Sequence, residues 1–180
     1  NTAVGNQALG ATTGASNTGI GNQALLSNTS GGNNTAIGAD ALDSNTTASN
    51  NTAVGKDALG ANTTGTSNTA LGAYAGQGIT TASNVVAIGK NALNSTTTGD
   101  NNVAVGNSAC NVNTSGNSIV AVGANAMLSN TTGHSNTAIG AFALDANTTA
   151  NFNSALGYGA LGANTEGGDN VAVGSYALDA

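Results

Sequence analysis

An aliphatic residue followed by glycine recurs along this chain at a fixed interval: Val4-Gly5, Ile20-Gly21, Ile37-Gly38 and onward to Val173-Gly174. The first interval between these glycines is 16 residues and the nine after it are 17, so eleven copies of one unit cover the sequence. A repeat of this kind decides the architecture before any single element is assigned. The residue ahead of the aliphatic is Ala except at Gly19, and the third residue after the glycine is Ala in all eleven copies. The fourth is Leu in eight copies, with Gly76, Cys110 and Met127 in the other three. Asn stands four before the glycine in nine copies, Val85 and Ile119 being the exceptions, and a Thr column runs at 17-residue steps from Thr12 and Thr29 to Thr165.

A 17-residue unit is too short for two helices and a turn. Its β-branched anchors and its Gly, Asn and Thr also oppose helix. Asn-Thr-Ala-Val-Gly reads as a short strand whose pleat sends the aliphatic and the residue two before it to one face, and the Ala between them to the other. The Ala-Leu pair forms a second short strand or a bend, and the Gly/Asn/Thr segment turns the chain back. Asn-Gly and Asp-Gly, the strongest hairpin signals, are absent. The expectation is therefore an all-β parallel β-solenoid of about eleven 17-residue coils, residues 1–180 forming a single array.

Stacked units place like residues over one another. The invariant Ala suits an interior too tight for a larger side chain. The β-branched and Leu columns form apolar ladders, and the Asn and Thr columns pass hydrogen bonds from coil to coil. Glycine at every anchor implies a positive φ or a close backbone approach. The two positions after it vary freely (Lys56, Tyr158; Asp40, Tyr74, Phe142), which marks an exposed side. Two large aliphatics per coil are little burial against the ordering of 17 residues, so the solenoid is expected to share an apolar face with other copies.

Composition removes whole classes of function. Only 6% of residues are charged, the net charge is −6, and Lys56 and Lys90 are the only Lys or Arg. Neither nucleic acid nor an anionic membrane is an expected partner. No apolar run approaches the roughly 18 residues of a membrane helix. One Cys and one His supply no disulfide, zinc site, Cys–His pair or Ser–His–Asp triad. The chain is expected to be no enzyme, with no catalytic, cofactor-binding or metal residues and no cofactor; its binding residues stay unassigned.

At Asn84-Val85-Val86-Ala87-Ile88-Gly89, Asn102-Val103-Ala104-Val105-Gly106, Ile119-Val120-Ala121-Val122-Gly123 and Asn170-Val171-Ala172-Val173-Gly174 the unit resembles the V-A-I-G repeat of trimeric autotransporter adhesin heads of the YadA type. Copies such as Asn34-Thr35-Ala36-Ile37-Gly38 are similar to the N-T-A-I-G-x-x-A-L arrays of bacterial surface proteins and phage tail-fibre shafts. The resemblance covers all eleven units and implies a left-handed β-roll, three chains around one axis, and an extracellular rod used for attachment, on a cell surface or a virion. Such a rod would present a host-surface receptor or glycan with a binding surface. The period of 17 exceeds that of the adhesin heads, so no binding residue is carried over. Units at both ends lack caps, and the chain is expected to be a window on a longer fibre.

Smaller features are weighed against the repeat. Nine N-x-[ST] sequons (Asn28, Asn33, Asn45, Asn50, Asn62, Asn94, Asn113, Asn130, Asn147) fall where an Asn-Thr ladder puts them. Asp40 and Asp57, and Asp43, Asp145 and Asp179, share phases and read as solvated charge. Tyr74, Phe142, Tyr158 and Tyr176 are expected to lie too far apart for an aromatic platform. Cys110 and Met127 read as core residues, and His134 as a turn residue with nothing to ligate. Two functions follow: a structural or adhesive fibre segment, or an ice-binding solenoid using its Thr ladder. The variable neighbours of that ladder (Ser30, Ser115, Glu166) favour the fibre.

Overall fold

A computed structural model describes residues 1–179 and builds them into one parallel β-solenoid. Its strands are β1 (Thr2–Val4), β2 (Thr18–Ile20), β3 (Thr35–Ile37), β4 (Thr52–Val54), β5 (Thr69–Leu71), β6 (Val86–Ile88), β7 (Val103–Val105), β8 (Val120–Val122), β9 (Thr137–Ile139), β10 (Ser154–Leu156) and β11 (Val171–Val173). They form one eleven-stranded sheet in sequence order, about ten turns, with like residues in register, as in Ala36 opposite Ala53 and Ile37 opposite Val54. At the usual strand spacing of about 4.8 Å the stack is about 50 Å long. The Ala-Leu pair belongs to a bend and adds no second strand.

The pleat divides each strand as the pattern predicts, with one consequence for the core. The middle Ala is buried in β2 to β11 except where Gly19 replaces it, and the aliphatic before the anchor glycine faces outward. The β-branched column is thus a ladder on the surface, not in the core. The interior holds the strand Ala, the invariant turn Ala (Ala24 through Ala160 fully covered) and the Leu column with Cys110 and Met127. Two Asn columns complete it.

Those buried amides stand in for sheet hydrogen bonds where the chain turns. In the column four before the anchor, the backbone N–H donates to the side-chain oxygen of the coil before wherever that coil holds Asn, as in Asn51 N to Asn34 Oδ1 at 3.0 Å and Val85 N to Asn68 Oδ1 at 3.0 Å. The same side chains donate forward to a turn carbonyl, as in Asn51 Nδ2 to Gly65 O at 2.9 Å. In the second column Asn45 Nδ2 donates to Asn28 Oδ1 (2.8 Å), and Asn130 and Asn147 continue likewise at 2.9 Å each. Buried polar groups are tolerated here because nearly all of them find a partner on the same or the neighbouring coil, Asn62 Oδ1 and Thr96 Oγ1 being the exceptions.

Each coil also carries corners in the left-handed region. The anchor glycines have φ from +122° to +142°, and a Cβ on any of the first ten would fall 2.2 to 2.8 Å from the next anchor's carbonyl oxygen. Both reasons for glycine therefore apply at once. Three other corners fall at the second and fourth residues after the anchor and five before it, and hold thirty non-glycine residues at φ near +50° to +60°. None of the thirty is Val, Ile or Thr, the residue types for which this conformation is most strained.

The 16-residue first interval is absorbed in one turn. Thr13, not Thr12, joins the Thr column, donating its hydroxyl to Thr29 O at 2.7 Å, while Thr12 Oγ1 accepts from Asn28 Nδ2 at 2.7 Å in the Asn column. The missing residue is the partner of Ser30.

Candidate binding surfaces

The first surface is the outer face of the sheet. Its column next to the anchor is aliphatic in every strand, from 37% exposed at Ile20 and Ile37 to 70% at Val173, and half-exposed at Val54, Ile88, Val105 and Val122. The column beside it holds Thr or Ser in seven strands and Val86, Val103, Val120 and Val171 in the other four. The apolar stripe runs unbroken along all eleven strands, and contiguous exposed apolar surface of this kind marks an interaction site.

The second surface was not foreseen. Phe142, Tyr158 and Tyr176 come from three successive coils, and their rings meet edge to face with centroids 5.6 Å apart for the first pair and 5.2 Å for the second. The expectation that these aromatics are scattered is overturned. They are 16 and 18 residues apart in sequence, which at a 17-residue period makes them neighbours on adjoining positions of the exposed corner. They line an open cleft of about 400 Å³ together with Asp145 and Asp179. Between those two acids the column carries Gly162, where a Cβ would lie 2.6 Å from Asp179 Oδ1 and 3.3 Å from Asp145 Oδ1. Both carboxylates thus converge on the space that glycine leaves empty. Burial, with a smaller contribution from the charge of Asp179, raises the proton affinity of Asp145 above that of an ordinary carboxyl. Tyr74 lies apart from this group and packs under the Lys56 ammonium, 5.2 Å from the ring centroid.

The remaining sequence features have structural roles. The sequon amides of Asn28, Asn45, Asn62, Asn113, Asn130 and Asn147 are fully buried, with each Nδ2 donating to a turn carbonyl. Asn33 and Asn50 are exposed and Asn94 is half-buried. Thr hydroxyls from Thr29 to Thr148 donate to the next coil's Thr carbonyl at 2.9 to 3.3 Å. Burial pushes the Cys110 thiol up to about 12, and Met127 is fully covered. His134 packs its ring edge-on to Phe152, with centroids 5.8 Å apart. Among the described residues no three His, Cys, Asp or Glu side chains gather as metal ligands. No protein-family model, curated protein or solved structure matches the chain.

Proposed function

We propose that this chain is a non-enzymatic segment of an extracellular fibre, a structural or adhesive rod in which three copies associate through the outer strand face. The observation that carries the reading is the aliphatic column from Val4 to Val173, which no strand interrupts with a polar residue. Covering it removes exposed Val, Ile and Leu from water along the full stack at roughly 25 cal/mol per Å². It also supplies apolar burial that a core of Ala, Asn and one Leu column lacks. The resemblance to adhesin heads and tail-fibre shafts supports attachment at a cell or virion surface, with a host receptor or glycan as partner.

The ice-binding alternative draws on the Thr ladder. Those hydroxyls donate to a carbonyl of the next coil, which leaves them poorly placed to order water. Placing lysine at Ile88 and Val105, in the middle of the outward column, tests the fibre reading by sedimentation. The unaltered chain sediments as a trimer and the variant as a folded 17.0 kDa monomer. A monomer before substitution, with thermal hysteresis in freezing assays, would put ice binding in its place.

A further inference from the structure

The cleft beside Gly162 has three properties that together restrict its ligand. Phe142, Tyr158 and Tyr176 line it as a contiguous aromatic cluster, which supplies π systems for a cation. Asp145 and Asp179 line it too, each with Oδ1 close to the point where a Cβ of Gly162 would stand, and Asp179 Oδ1 also accepts from Ala163 N at 3.1 Å. No cationic side chain lines it: Lys56 is paired with Asp57 and lies over Tyr74, and Lys90 belongs to a coil four repeats before that of Tyr158. Its volume of about 400 Å³ is in the range of small-ligand clefts. Gly162 has no left-handed φ that would demand glycine. What its missing side chain provides is room between two like charges.

We infer that this cleft binds an organic ammonium cation, its charge between Asp145 and Asp179 and its alkyl groups against the rings of Phe142, Tyr158 and Tyr176. A cation there relieves the repulsion between the two carboxylates, and the rings supply attraction that a hydrated inorganic ion uses poorly. Uncharged sugars stack on such rings and donate hydroxyls to carboxylates, but they leave the like charges of Asp145 and Asp179 uncompensated where no cationic side chain lines the cleft.

The test is saturation-transfer NMR from the intact chain to choline, with methyl glucoside as the uncharged probe. Transfer to the choline methyl protons is expected, with none to the glucoside. Asp145→Asn combined with Asp179→Asn lowers choline affinity tenfold or more while circular dichroism stays that of the parent. Tyr158→Leu with Tyr176→Leu does the same from the aromatic side. If either variant fails to fold, a salt series on the unaltered protein decides, transfer falling at least about threefold between 0.02 and 0.5 M NaCl for a charge-driven contact. Transfer to the glucoside alone, transfer to neither probe, or choline binding indifferent to both salt and the Asn variants would each overturn the inference.

Discussion

Ile79 fills the space that Gly76 vacates. A Cβ at Gly76 would stand 3.0 Å from Ile79 Cδ1 and 3.0 Å from Leu59 Cδ2, so the isoleucine, occupying an Asn-column position, supplies the apolar volume that leucine supplies in eight other coils. The exchange interrupts the amide ladder, and Asn62 Oδ1, which would accept from an Asn at 79, is left buried without a partner. The two departures from the repeat are thus one compensated substitution. Ile79→Asn alone should cost about 2 to 4 kcal/mol through the cavity it opens. Gly76→Leu alone should cost about 1 to 3 kcal/mol by overpacking. The double variant should return to within about 1 kcal/mol of the parent in urea unfolding, a coupling of at least about 2 kcal/mol. Additive losses would show that the positions do not share one space.

The left-handed corners make a second prediction. Leu144 is fully buried with φ of +52°. Leu144→Met keeps volume and an unbranched Cβ and should cost under about 1 kcal/mol. Leu144→Ile keeps composition but branches at Cβ in a left-handed residue, and should cost at least about 2 kcal/mol more. Equal losses in the two variants would remove the backbone explanation for the absence of Val, Ile and Thr from these corners.

What could be read without coordinates follows the physics of stacking. Periodicity alone gives the parallel register, the anchor glycines and the covered Ala column, because each depends only on like residues lying over like. Which pleat face is the interior was harder. Val4 to Val173 look like core by side-chain type, yet the middle Ala faces in, because the interior is narrow and already filled by Leu and two Asn columns. The aromatic wall was missed because Phe142, Tyr158 and Tyr176 occupy two different positions of the repeat. A search by single columns separates them, whereas the exposed corner joins them. The Thr12 assignment failed for a related reason: a constant step of 17 hides a deletion that the turn absorbs one residue later.

Acid should strengthen this fold before it weakens it. Asp43 and Asp145 both have proton affinities raised above the ordinary value near 3.8, in each case chiefly by burial, with added repulsion from neighbouring aspartates. The folded state therefore binds more protons than the unfolded chain between that value and the raised one, and stability falls as pH rises through this window. Melting temperature should increase on acidification toward pH 4, and the gain should shrink in the Asp43→Asn, Asp145→Asn double variant. A monotonic loss of stability from pH 7 to 4 would contradict the assignment.

Cys110 reports opening of the core. It is fully buried in the apolar core, and burial holds its thiol at about 12, so almost no thiolate exists at neutral pH. Ellman's reagent at pH 8 should label it at least about a thousandfold more slowly in the native protein than in urea. Prompt native labelling would mean that the solenoid opens locally at this coil.

The association of copies through the outer strand face is the claim on which the functional reading rests. Light scattering of the unaltered chain over a range of concentrations tests it most directly. The account predicts a concentration-independent mass of three 17.0 kDa chains. A stable mass of one chain with the β-sheet spectrum intact would contradict it, since the stripe from Val4 to Val173 would then face water in the native protein.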